Sequence, residues 1–159
     1  MKLPALTILL FFYPAFLWAD FELPPYSLAY DPARDPFADG RAALELARRT
    51  NRRVLIEVGG NWCVWCLKLD EFLQRNAKVR EQLYRHFVVL KVNVSEENDN
   101  QDFMAGLPKA NGYPHMYVTD STGRILISKD TVELLEQRRY SQRRFLQFIE
   151  KWKVHEQNL

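Results

Sequence analysis

Two runs of the chain, VLIEV (54–58) and FVVLKVNV (87–94), are apolar at nearly every position. Both are short and rich in β-branched residues, the pattern of strands covered on both faces. A third stretch, MYVTDSTGRILI (116–127), predicts a hairpin with strands at 116–119 and 124–127 and a turn at 120–123. Helical spacing appears elsewhere. Asp39 is placed to cap a helix through GRAALELARRT (40–50), which has Leu44, Leu46 and Ala47 on its apolar side and ends at Asn51. After a break at Gly59, Gly60 and Asn61, CVWCLKLDEFLQR (63–75) reads as a helix with Val64, Leu67, Phe72 and Leu73 partly on one face. NAKVREQLYRHF (76–87) reads as a shorter helix. SEENDNQD (95–102) is a polar loop, and FMAGLPKANG (103–112) is irregular or briefly helical. Ser141 is a good N-cap for a last helix carrying Phe145, Phe148, Ile149 and Trp152 at helical spacing.

Strands separated by helices pair in parallel, and the hairpin adds antiparallel strands at the edge. The expected fold class is α/β: a central mixed β-sheet with helices on both faces and no internal repeat.

The two ends of this pattern differ. MKLPALTILLFFYPAFLWAD (1–20) has one Lys, an apolar run and a small residue at Ala19, the layout of a secretory signal. Residues 1–19 are expected to be that signal, with an uncleaved membrane anchor as the lesser alternative. Residues 20–38 are rich in Pro, Asp and aromatics and predict an extended segment. Residues 39–159 then form the globular domain. The expected location is the periplasm or another exported compartment.

Composition narrows the function classes. The 159 residues are 47% hydrophobic and 26% charged, an ordinary globular balance for one domain. The formal charge of +2 is too small to suggest nucleic acid, and pairs such as Arg48-Arg49 read as solvated helix faces.

The chemistry is concentrated in NWCVWC, which holds both cysteines of the chain, Cys63 and Cys66, with Trp62 before them and Trp65 between. A zinc site needs four ligands, and His86, His115 and His155 are too widely spaced to complete one. Covalent haem needs His after the second Cys, where Leu67 stands. A bridge over so few residues barely constrains the unfolded chain, so a structural staple is a poor reading. A redox pair remains. Cys63 at a helix start meets unpaired N–H groups and the positive end of the helix dipole, both of which favour its thiolate. Cys66, one turn on, is placed to resolve a mixed disulfide. Trp65 is expected to be the more exposed tryptophan and to form an apolar contact for partner proteins, while Trp62 packs on the sheet. His115 is read as a surface residue, with tuning of the thiolate as the lesser alternative.

The segments VLIEVGGNWCVWC, VVLKVNV and NGYPHMYVTDSTGRIL together resemble the thioredoxin superfamily, over roughly residues 40–153. The resemblance is to its exported, periplasmic-type members. It implies a cis bond at Pro114 beside the disulfide, with Tyr113 presenting its backbone to a substrate strand. Trp62, Trp65, Tyr113 and Pro114 are thus the expected substrate-binding residues. Glu57 stands where thioredoxin carries a buried acid, and a buried carboxyl suits proton shuttling to Cys66. The alternative is that Glu57 lies at a solvated edge or pairs with Lys91. Val64-Trp65 replaces thioredoxin's Gly-Pro, and His115 stands where Thr is common. The implied function is a thiol–disulfide oxidoreductase working through Cys63, Cys66 and Glu57, with no cofactor beyond the disulfide. Its partners would be client proteins with thiols or disulfides and a membrane-embedded electron donor or acceptor. No His lies between the cysteines to stabilise the thiolate further, which favours the reductase direction. A non-catalytic thioredoxin-like module that holds exported clients or a membrane partner is the alternative.

Overall fold

A computed structural model describes residues 22–155. Its elements run in the order α1 (Pro36–Arg49), β1 (Arg53–Gly59), α2 (Val64–Arg75), α3 (Ala77–His86), β2 (Phe87–Asn93), α4 (Gln101–Ala105), β3 (His115–Thr119), β4 (Ile125–Asp130), β5 (Leu135–Glu136), β6 (Arg139–Tyr140) and α5 (Gln142–Trp152). Short 3₁₀ turns lie at Pro25–Ser27 and Thr131–Leu134. The signal expected at residues 1–19 lies outside the described residues. Among the described residues no helix is long and apolar enough to cross a membrane.

The main sheet has the order β2-β1-β3-β4. β1 and β2 run parallel, while β3 is antiparallel to both β1 and β4. This is the mixed sheet expected from alternating helices and strands followed by a hairpin. The two nearly continuous apolar runs sit on β1 and β2, both covered on two faces. Within them, alternate residues separate into two cores. Val54, Ile56, Val58, Val88, Leu90 and Val92 pack with Ala43 and Ala47 of α1. Leu55, Phe87 and Val89 pack with Leu69 and Leu73 of α2, Val79 and Leu83 of α3 and Phe145, Phe148 and Ile149 of α5.

The period of two has a consequence for the polar residues in these strands. Glu57 and Lys91 fall on the same face as Leu55 and Val89, the face covered by α2. The parallel register sets Glu57 directly opposite Lys91. An acid and a base are therefore brought side by side beneath the helix that follows the cysteines.

Helix starts follow capping chemistry. α1 begins at Pro36 with Asp35 as its N-cap, earlier than the start expected from Asp39. Pro suits the first helical position, and Asp39 instead takes a bidentate bond from Arg34 at 2.6 Å. α5 starts where expected: the Ser141 hydroxyl accepts from the Arg144 N–H. The segment before α1 packs onto the domain, with Tyr26, Ser27 and Tyr30 buried. The Ser27 hydroxyl donates to the Val89 carbonyl.

Candidate active site

The Cys63–Cys66 pair sits at the start of α2, where strand β1 ends. Cys63 is the N-cap, and its sulfur accepts from the Cys66 N–H at 3.2 Å. The two form a disulfide with a Cα–Cα distance of 5.2 Å. Cys66 is fully buried, whereas Cys63 keeps 5% of its surface exposed. Cys63, nearer the helix start, is thus the one of the pair that keeps some surface.

The loop before the pair is tightly built. A Cβ at Gly59 would lie 2.5 Å from the Cys66 sulfur and 3.0 Å from the Tyr30 hydroxyl oxygen. One at Gly60 would meet the Trp62 indole nitrogen at 2.5 Å. The break in the apolar pattern at these glycines is therefore a requirement for space, at the point where the strand passes beneath the disulfide.

Glu57 lies below, fully buried. The Tyr30 hydroxyl donates to its Oε1. Lys91 Nζ stands 3.9 Å from the same oxygen, lies 4.8 Å from the Tyr30 ring centre and pairs with Asp70 of α2. Oε2 of Glu57 is buried without a hydrogen-bond partner. Burial pushes the Glu57 carboxyl above its ordinary range, against the opposing pull of the Lys91 ammonium. Tyr30, also buried, is pushed well above the usual phenol value, first by burial and then by the Glu57 charge. Glu57 thus joins features of both sequence readings: it is buried under the cysteines and has Lys91 beside it.

On the outer side, the Tyr113–Pro114 bond is cis and Pro114 is buried. The Pro114 carbonyl accepts from the Thr131 hydroxyl at 2.7 Å. Tyr113 packs against the cysteine cluster and meets the Trp62 ring edge-on at 5.8 Å. The tryptophans reverse the expected order of exposure. Trp62 is 57% exposed, its indole N–H tied to the Val94 carbonyl at 2.6 Å. Trp65 is half-buried in the first turn of α2, edge-on to Tyr140 at 6.1 Å, with Lys68 over its face. The β5–β6 hairpin that carries Tyr140 covers it. His115 is also not at the surface: it is 2% exposed in β3, with Nε2 2.8 Å from the Ser128 hydroxyl. Burial lowers its pKa, disfavouring the charged imidazolium.

The structure brings Cys63, Cys66, Glu57, Trp62, Trp65, Tyr113 and Pro114 to one end of the sheet. It adds Tyr30 and Asp70, which the sequence reading missed. Asp70 had a readable signal, since it stands four residues after Cys66 and so on the same side of α2. Among the described residues no three His, Cys, Asp or Glu side chains gather as a metal site.

A strand that delivers a Cys-x-x-Cys disulfide onto a helix start, beside a buried cis-proline, defines a thioredoxin-type redox domain. The chain belongs to the thioredoxin-like family, whose pattern matches residues 35–121. Its redox element is the Cys63–Cys66 disulfide itself. Among solved structures, it is similar to a disulphide isomerase from Xylella fastidiosa Temecula1: 29% identity, TM-score 0.65, covering 82% of this chain and 97% of that one. The oxidised C-terminal domain of Neisseria meningitidis DsbD shares the fold at 18% identity and TM-score 0.51, covering 75% of this chain and 97% of that one. Spermatogenesis-associated protein 20 of Homo sapiens is 34% identical over 80 residues, 49% of this chain. The chain spans about a tenth of the length of that relative (10%).

Proposed function

We propose that this protein is a thiol–disulfide oxidoreductase that reduces or rearranges disulfides in exported proteins. The observation that carries the reading is the asymmetry of the pair. Cys63 keeps 5% of its surface exposed at a helix start, while Cys66 is fully buried and clustered with Tyr30, which bonds the Glu57 carboxylate. In the reduced protein, the Cys63 thiolate attacks a client disulfide and expels one client sulfur as a thiolate, which takes a proton. Cys66 then loses its proton and attacks Cys63 in the mixed disulfide, releasing the second client sulfur. The client gains two electrons and two protons, and the Cys63–Cys66 disulfide is restored. An external dithiol must return those electrons, and a membrane-embedded donor suits an exported protein. The N-terminal signal pattern supports that location.

In this reading Glu57 receives the proton that Cys66 loses, since burial raises its affinity for a proton. Trp62 and Tyr113 offer an apolar rim beside Cys63, with Pro114 behind it and Trp65 flanking the hairpin side. Similarity to a disulphide isomerase supports the same chemistry.

A Cys66→Ser variant tests the reading, because it arrests the reaction at the mixed disulfide. Covalent capture of exported thiol proteins is expected, and is lost on reduction. Unchanged, noncovalent client binding by a Cys63→Ser/Cys66→Ser double variant would instead mark a binding module. Equilibration in glutathione buffers sets the direction. A potential near about −270 mV is expected for a reductant, and one near about −120 mV would make the protein an oxidant.

A further inference from the structure

We propose that Tyr30 is the proton relay between Cys66 and Glu57. This rests on the reading that Cys66 resolves a mixed disulfide. Tyr30 comes from the segment before α1, in a stretch of sequence with no helical or strand period. Yet it is 2% exposed and packs in one cluster with Cys63 and Cys66. Its hydroxyl donates to Glu57 Oε1. The same hydroxyl and the Cys66 sulfur both crowd the position that a Cβ on Gly59 would occupy, at 3.0 and 2.5 Å. The phenol thus bonds the acid and packs close to the buried sulfur.

The residue is fixed through both its backbone and its ring. Asn61 Nδ2 donates to the Tyr30 carbonyl at 3.0 Å, and Lys91 Nζ lies 4.8 Å from the ring centre. The charged and titratable groups around it are Glu57 of β1, Lys91 of β2, Asp70 of α2 and Tyr140 of β6. A hydroxyl both donates and accepts, so it can pass a proton without becoming charged. As Cys66 is deprotonated, its S–H proton moves to the Tyr30 oxygen while the Tyr30 proton moves to Glu57 Oε1. The products are a Cys66 thiolate, a neutral tyrosine and a neutral carboxylic acid. One proton has left sulfur, one has reached the carboxylate, and no electron has moved. The thiolate then attacks. Ionisation of Tyr30 itself is opposed by its burial and by the Glu57 charge.

The test is a single turnover of the reduced protein with glutathione disulfide, followed by tryptophan fluorescence from pH 5.5 to 9.5. The first phase, attack by Cys63, scales with glutathione disulfide concentration. The second, resolution by Cys66, does not. Tyr30→Phe keeps the ring and removes the relay. We expect it to slow the second phase at least tenfold at pH 7, with the deficit closing as pH rises and Cys66 ionises unaided. The first phase should stay within twofold, which also reports an intact fold. Glu57→Gln should slow the second phase similarly, and the double variant should be no slower than the slower single one. A second phase of wild-type rate in Tyr30→Phe overturns the relay. So does a slowing that is equal at every pH, or one that multiplies with that of Glu57→Gln. On the wild-type protein, mixtures of light and heavy water should give a curved dependence of the second-phase rate, from two protons in flight; a linear one overturns the relay even if the variant does not fold. A reduced wild-type protein that glutathione disulfide does not oxidise at all overturns the oxidoreductase reading itself, a distinct result.

Discussion

Gly59→Ala places one methyl group at the most crowded point of the site. Its Cβ would lie 2.5 Å from the Cys66 sulfur, 3.0 Å from the Tyr30 oxygen and 3.1 Å from the adjoining ring carbon. Carbon–carbon contacts are optimal at about 3.5–4.0 Å, so the surroundings must give by roughly 1 Å. Neither neighbour gives easily. Cys66 is fixed in α2 and bonded to Cys63, and Tyr30 is 2% exposed. The expected cost is therefore at the upper end for an overpacked core, about 3 kcal/mol. With a urea slope of about 2 kcal/mol/M for a domain of this size, the midpoint should fall by about 1.5 M at an unchanged slope. The assay is urea unfolding of the oxidised protein by fluorescence and circular dichroism. Gly112→Ala is the control, since a Cβ there meets nothing within 4 Å; it should stay within about 0.5 kcal/mol of wild type. A Gly59→Ala midpoint indistinguishable from that of Gly112→Ala would refute the close packing of strand, sulfur and phenol.

Three further outcomes are expected. Because burial raises the Glu57 carboxyl above its ordinary value of 4.5, its protonated form is the one the fold favours; its contribution is present below pH 4.5 and is lost as pH rises through the raised value. Glu57→Gln should therefore gain stability relative to wild type as pH rises above 4.5 in urea unfolding, and a pH-independent difference would contradict the assignment. Trp62→Ala should raise KM for a protein client severalfold while leaving glutathione disulfide exchange within twofold, because the exposed ring borders Cys63 without touching Glu57; equal loss on both substrates would place Trp62 in the chemistry instead. Ser141→Ala should cost about 1 kcal/mol in thermal or urea unfolding through loss of the α5 cap, with exchange rates unchanged.

Much of this site was legible because it lies on elements with strong periods. The β1 and β2 runs, the hairpin and the aromatic stripe of α5 each announce a buried face. Glu57 stood out because a charge in a doubly covered strand needs a reason. Tyr30 did not, because a non-repeating segment carries no local signal for where it docks. The tryptophan exposures were misjudged for a related reason. Trp65 is sheltered by β5–β6, and its two-residue strands are too short to show alternation. The turn joining them places Gln137 and Arg138 at φ 47° and 60°, with no glycine or asparagine to mark it. His115 looked like a surface residue beside a proline, yet β3 lies between β1 and β4 and is buried along its length.

The segment that brings in Tyr30 also covers part of one edge of the sheet. β2 is an outer strand, and outer strands expose backbone groups that invite another chain to pair. The turn at Pro25–Ser27 lies against β2, with the Ser27 hydroxyl on the Val89 carbonyl, and Asn100 holds the Asn93 carbonyl at 2.7 Å. That edge is occupied by the chain's own leading residues. On the opposite side, among the described residues, no strand lies beyond β4, which is only half-buried and carries Lys129 and Asp130. Among the described residues, one edge of the sheet is thus partly covered by the chain itself and the other carries charge, and both features discourage strand pairing between copies.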